Sequence, residues 1–450
     1  MQKKRIFREI YMRSDVLRVN GILGLIAFGL LSYAIKFLFN TYVSNHIDAA
    51  LYGDFSLAIR FIWVTVPFVL FGTNMAVSKY FTRYASENDD SSAGSYLHWN
   101  MKIIRNSILI FFPLCIILIL IIALMIHYNI NHLKNYHMAV YAQLAVPSAA
   151  LAVMIGSIFL ALRSTIVSSI ISNILFNLIA LFSFVVFFNV ESTIGLDVLD
   201  LALVLIVTSL FYFMISMLLI IFFYRNRIRN FLSSRKLLKA EDSSDWLGYS
   251  KVLLMNNSAT KLFQFLDLLI VEIIGSHGEK QVGYYSSFLV IVGLVYSIVN
   301  MVKTIIKPRL AAKLDPKVNQ RNLNLCNLIQ IVFLAVFSII ILAYSKQILH
   351  LFGDDYVQHA GQLDIYVIGS VFSVIPSLCV YDPLYYGYHK ILLLQTNLNI
   401  LLVVFVCPFA YYFYNLTGMV WSVVIINNIA KYSLFIYVHR RSKLKYLFFL

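Results

Sequence analysis

Twelve stretches of about 20 apolar residues set the limits on what this chain can fold into. A bilayer core is crossed by roughly 20 residues of helix. On that ruler the segments fall near 20–43, 55–78, 107–126, 138–162, 166–189, 199–224, 252–275, 283–306, 325–344, 363–388, 391–413 and 418–438. Residues 166–189 and 201–224 hold no charge at all. Of the 450 residues, 60% are hydrophobic and 13% charged, with a mean hydropathy of +0.79. Soluble domains hold about 45–50% apolar and about 25% charged residues, so this excess has no water-soluble core to enter. Inside lipid every backbone N–H and C=O must be paired within the protein, which spanning helices achieve. The expectation is an all-α polytopic membrane protein whose partner is the bilayer itself.

The formal net charge of +15 would suggest nucleic acid in a soluble chain. Here it sorts by loop, as expected when Lys and Arg collect on the cytoplasmic side. With the N-terminus inside, the inner connections and tails carry 28 of the 36 Lys and Arg. The outer loops carry three, Lys134, Lys280 and Lys346. Both termini are therefore expected in the cytoplasm, with no nucleic-acid partner. The opening MQKKRIFREIYMRSDVLRVNG reads as a retained basic arm, because no small-residue cleavage site follows its first apolar run. The four cysteines, Cys115, Cys326, Cys379 and Cys407, lie in apolar segments without disulfide or metal spacing.

The second half of the chain repeats the first. A shift of 230 residues lays Gly53 on Gly283, Phe55 on Tyr285, Ser56 on Ser286, Lys79 on Arg309 and Arg83 on Lys313. Further along, the inner turn at Arg163 answers that at His389–Lys390, and the outer turn at Gly195 answers that at Gly418. Six segments per half is an even number, so the halves share one orientation and the repeat is parallel. The expected organisation is an arm 1–19, a six-helix lobe 20–224, a cytoplasmic connection 225–251, a second lobe 252–438 and a tail 439–450. A duplicated helical membrane protein suits transport.

Charges inside the segments are the candidate functional residues, since an ionisable group at membrane depth is costly and faces a cavity or partner. Lys36 and Arg60 lie in the outer half of the first lobe, where no acid occurs in segments one or two. They either bind an anionic headgroup or serve a structural pair or bundle packing. Asp267 and Glu272 are five residues apart, about 140° around one helix, and so cannot share a ligand. Either could couple transport to an ion or pair with a lysine, Lys261 being on the same helix. Asp382 and Lys431 suit an inner-half ion pair of the second lobe. Lys303, one turn from a segment end, suits snorkelling, and His127, His132, His137, His350 and His359 have no metal-ligand spacing. Asn256, Asn257, Ser258 and Thr260, and Ser168, Ser169, Ser172, Asn173 and Asn177, suit sugar contacts or helix–helix bonding alike. No phosphate-cradling GxxxxGK[ST] or G-x-S-x-G sequence occurs, so neither an ATP-driven motor nor a cofactor is expected.

The stretch GEKQVGYYSSFLVIVGLV, entered from an acid-bearing helix and followed by KPRLAAKL, resembles the start of the second lobe in polysaccharide flippases. These belong to the multidrug/oligosaccharidyl-lipid/polysaccharide exporter superfamily. AALYGDFSLAIRFIWVTVPFVLFGTNMAVSKYFTRY and LFGDDYVQHAGQLDIYVIGS are similar in the same way. The resemblance implies two six-helix lobes around a V-shaped central cavity that opens alternately to each side. It implies an inner-membrane flippase, not an enzyme, moving undecaprenyl-pyrophosphate-linked oligosaccharide, as for O-antigen and lipopolysaccharide, to the periplasmic leaflet. Lys36 and Arg60 are the residues it assigns to the pyrophosphate, and H+ or Na+, a polysaccharide polymerase and other assembly proteins are the implied partners. Two alternatives stand beside it. A multidrug antiporter of the same superfamily would favour an acidic cavity for cations. A membrane polymerase or ligase would need a sizeable outer loop, and the longest here is Ser345–Gln362.

Overall fold

The structure, a computed structural model, describes residues 19–128, 137–162, 164–190, 198–234, 240–275, 278–311, 316–380, 390–442 and 445. Among the described residues, twelve long helices account for the twelve segments, the tenth only as far as Val380. They are α1 Val19–Ser44, α2 Ala49–Leu70, α3 Asp90–His127, α4 137–161, α5 165–190, α6 Val198–Ser233, α7 Ala240–Ile274, α8 Gly278–Ala311, α9 Pro316–Ala343, α10 360–380, α11 390–413 and α12 416–439. The last two run together except for a kink where Tyr414 and Asn415 leave helical geometry. Eight helical stretches among the described residues are long and apolar enough to cross a membrane by length and composition.

Local chemistry sets several boundaries. Asp48 caps α2, its carboxylate accepting from the Leu51 N–H at 2.7 Å. The helix therefore starts at Ala49, six residues before the apolar segment, and takes in Asp54. It ends where Phe71 and Gly72 turn left-handed (φ 52° and 68°). Asp89 caps α3 through the Ser92 N–H at 3.1 Å. Helices α6 and α7 run on into the 225–251 connection, which is thus largely helix.

Two lobes meet most closely at the end away from that connection, the loop end. There α2 and α8, equivalent helices of the repeat, lie so close that a Cβ on Gly283 would stand 2.0 Å from the Ala49 carbonyl oxygen. Tyr52 packs against Phe352 and Tyr356, Tyr356 against Tyr284, and Phe37 against Phe352. The Asn45 side chain donates to the Leu351 carbonyl. Deeper in, the Tyr33 hydroxyl on α1 donates to the Val290 carbonyl of α8 at 2.6 Å.

Toward the linker end the buried core of the described residues divides in two. One large core joins lobe one to the loop-end half of lobe two. The linker-end half of lobe two has its own core around Val302, Leu323, Leu378 and Leu434. The start of α7 sides with lobe one: Trp246 packs against Tyr84, Tyr96 and Trp99, and Lys79 lies 3.8 Å over the Tyr249 ring. A Cβ on Gly72 would meet the Ser250 carbonyl oxygen at 2.3 Å. Farther along, Phe265, Leu268 and Val271 of α7 are buried in the core that reaches α11 and α12. Helix α7 therefore crosses from one lobe to the other.

Candidate functional site: a cationic seam between the lobes

Helix α1 exposes two faces. Ala27, Leu31, Ala34 and Leu38 repeat at helical spacing and form an apolar exposed stripe that suits lipid. Lys36 is also exposed, but on the opposite side of the helix, which looks between the lobes. It stands about 12 Å short of the loop end of α1 at 1.5 Å per residue. Helix α7 shows the same division. Met255, Leu262 and Ile273 mark its lipid face, and Gln264 is exposed roughly opposite them.

Three cations converge on this seam, Lys36 from α1, Arg60 from α2 and Lys261 from α7. Lys36 is near enough to feel the charges of both Arg60 and Lys261, and Lys261 that of Arg60. Arg60 reaches across the lobes, its Nη1 donating to the Gln264 carbonyl at 2.9 Å. Among the described residues none of the three forms an ion pair with a carboxylate. Such an array raises the local potential and suits a multiply charged anion.

Asp267 lies six residues beyond Lys261 on α7, about 9 Å along the axis, and is buried at 6% exposure. Its carboxylate accepts from the Tyr285 hydroxyl at 3.2 Å and from the Leu268 N–H at 2.8 Å. Tyr285 stacks on Tyr366 at 6.0 Å, and Arg60 is a neighbouring charge. Glu272 is buried two residues from the end of α7, beside Tyr411. The two acids thus have separate surroundings, as their 140° spacing requires.

The sequence places Arg60 in the outer half of its segment, whereas the earlier start of α2 puts it at mid-helix. Lys261 joins Lys36 and Arg60 instead of the acids. Lys431 is partly buried near Cys379; Asp382, the other half of the inner pair, lies outside the described residues, as do Arg163, Gly195, His389, most of the basic arm and the side chain of Lys303. Of the histidines, His350 pairs with Asp354 at 3.0 Å and His359 stacks on Tyr284. The four cysteines are buried and form no disulfide. Sequence reasoning missed Tyr285 as the partner of Asp267 and the aromatic loop-end seal. The only signal for the first was a tyrosine facing phenylalanine in the repeat.

The fold is that of known transporters. An inward-facing multidrug resistance MATE family transporter of the MOP superfamily superposes with a TM-score of 0.64 at 14% identity, covering 93% of this chain and 98% of its own. The lipid II flippase MurJ in an inward closed conformation gives 0.62 at 13% identity, covering 93% and 87%. The eukaryotic MATE transporter AtDTX14 gives 0.60 at 15%, covering 94% of both chains. No curated protein matches the sequence. The family model for polysaccharide biosynthesis proteins matches residues 19–313, which take in lobe one, the connection and the helix pair α7–α8 that completes the cationic seam. The chain belongs to the polysaccharide biosynthesis protein family.

Proposed function

We propose that the protein is a flippase for undecaprenyl-pyrophosphate-linked oligosaccharide, carrying a surface polysaccharide unit from the cytoplasmic to the periplasmic leaflet by alternating access. The carrying observation is the seam of Lys36, Arg60 and Lys261, three cations without a carboxylate partner among the described residues, in a chain of the polysaccharide biosynthesis family. A diphosphate offsets their repulsion with charge-assisted hydrogen bonds, which are strong where water is scarce. The linker end is then the cytoplasmic one, both termini lie on the cytoplasmic side of the bacterial inner membrane, and the V between the lobes opens to the side where the substrate is made. Because the cations come from both lobes, bound anion draws the lobes together around itself.

Asp267, held by Tyr285, is the residue we assign to ion coupling. Its burial makes a charged carboxylate costly and a proton or metal cation welcome. An antiporter for cationic drugs is disfavoured by the same cations that serve a phosphate.

Charge reversal separates phosphate binding from lobe pairing. Lys36→Glu and Arg60→Glu are expected to abolish surface polysaccharide in a host lacking its own copy, with normal insertion. Lys36 neighbours Arg60 and Lys261 rather than Asp267, so Lys36→Asp with Asp267→Lys is expected to stay inactive. Recovery of polysaccharide in that double swap would overturn the phosphate assignment.

A further inference from the structure

The polar residues of α5 divide sharply in their surroundings. Ser168 is buried, and its hydroxyl donates to the Gly156 carbonyl at 2.8 Å, a helix–helix bond to α4. One turn on, residues Ile170–Leu175 widen into a π-helical turn, a form often found at functional sites. The turn frees the Asn173 carbonyl, which accepts from the Ser32 hydroxyl of α1 at 2.9 Å and from the Asn177 side chain at 3.2 Å. These bonds hold the Asn173 backbone in place. Its carboxamide is exposed and makes no hydrogen bond among the described residues.

That carboxamide does not point to lipid. Leu178, Phe182 and Val186 mark the lipid stripe of α5 beyond the π turn, whereas Asn173 sits within that turn, which is gripped by Ser32 from the Lys36 face of α1. An unpaired amide in hydrocarbon is strongly disfavoured, so the exposed group belongs in the wet space between the lobes. Ser32, which grips this turn, is one helical turn from Lys36 on the same face of α1, about 6 Å along the axis.

We propose that Asn173 forms a sugar-binding subsite that reads the residue attached to the pyrophosphate. A carboxamide offers a donor pair and an acceptor on one planar group, which matches neighbouring hydroxyls or a hydroxyl beside an N-acyl group. The π turn aims it, and the cations one turn away fix the diphosphate from which that sugar hangs. This rests on the flippase reading above, and the test separates the two.

Binding is measured on purified full-length protein with two probes, undecaprenyl pyrophosphate and the lipid-linked oligosaccharide pool extracted from its host. Asn173→Ala is expected to leave the affinity for undecaprenyl pyrophosphate within about twofold and to weaken oligosaccharide-lipid binding about tenfold, the loss of one or two neutral hydrogen bonds. Asn173→Leu, which keeps the approximate shape and loses both donor and acceptor without adding charge, behaves alike, and Lys36→Ala weakens both probes. Equal weakening of both probes by Asn173→Ala, or of neither, overturns the subsite while leaving the flippase reading standing. Failure of the unaltered protein to bind either lipid overturns the flippase reading, and the subsite with it.

Discussion

Substituting Gly283 probes whether the loop-end seam is a gate. An added Cβ would lie 2.0 Å from the Ala49 carbonyl oxygen and 2.9 Å from its carbonyl carbon. Packed carbon–oxygen contacts run about 3.3–3.6 Å, so α2 and α8 must part by more than an ångström. Both atoms met are backbone, which cannot swing aside as a side chain would. Overpacking of this kind costs typically about 1–3 kcal/mol, and it falls only on the state in which the loop end is shut. A bias of that size shifts a two-state equilibrium by roughly 5- to 150-fold. The assay is labelling of a Gln264→Cys reporter, on the cavity face of α7, with a membrane-impermeant maleimide applied to intact cells. Background is low because the four native cysteines are buried. Gly283→Ala is expected to raise labelling severalfold. Unchanged labelling in a normally inserted Gly283→Ala protein would refute both the close approach and the gate.

The remaining predictions concern the groups around the seam. Tyr285→Phe removes the hydroxyl that Asp267 accepts and keeps the ring that stacks on Tyr366; it is expected to shift the pH profile of flipping with unchanged expression, and an identical profile counts against ion coupling. Trp246→Ala removes the centre of the ring cluster that fastens α7 to lobe one and is expected to cost about 3–5 kcal/mol, read as a lowered thermal midpoint in detergent. His359 is half-buried in the loop-end seal against Tyr284, near Tyr356 and Asp355, and burial pushes its imidazole below the ordinary 6.5. The folded seal therefore favours the neutral ring, so its contribution is present above 6.5 and lost as pH falls. Reporter labelling is expected to rise between pH 7 and 5.5, and His359→Gln to flatten that rise.

Segment positions were readable from composition because a membrane leaves few other uses for 20 apolar residues. Helix ends were less so: Asp48 caps α2 six residues ahead of the apolar run, and α6 and α7 continue past the membrane on ordinary helix formers. The cations at Lys36 and Arg60 stood out as charges in apolar sequence, but the grouping of Lys261 with them did not. Spacing along α7 relates Lys261 only to its own helix, and its neighbours on α1 and α2 depend on how the lobes close. The π turn at Ile170–Leu175 left no mark, since Ser-Asn pairs suit helix bonding and ligand binding equally well.

The repeat offers one further argument about Asp267. At the shift of 230, Tyr285 corresponds to Phe55 and Asp267 to Phe37. Phe55 is fully buried, as is Tyr285, and in lobe one it packs against Phe39 and Phe184. In lobe one the same helix pair meets through phenylalanines, Phe39 against Phe55, with Phe37 packed on Phe352 across the lobes, where lobe two has a bonded acid and tyrosine. An apolar pair of similar volume satisfies the packing without desolvating a carboxylate, and such replacements are often neutral or stabilising. Packing alone therefore gives lobe two no reason for its acid, which is the ground on which the proposal assigns Asp267 to coupling. Conversely, Leu266 and Val290 occupy the positions that in lobe one hold Lys36 and Arg60. The two copies keep one fold and divide the charges between them, the seam cations largely on the first and the buried carboxylates Asp267 and Glu272 on the second. A movement of the lobes then changes the distance between the two kinds of residue, and under the proposed function that separation is what coupling an anionic substrate to a cation requires.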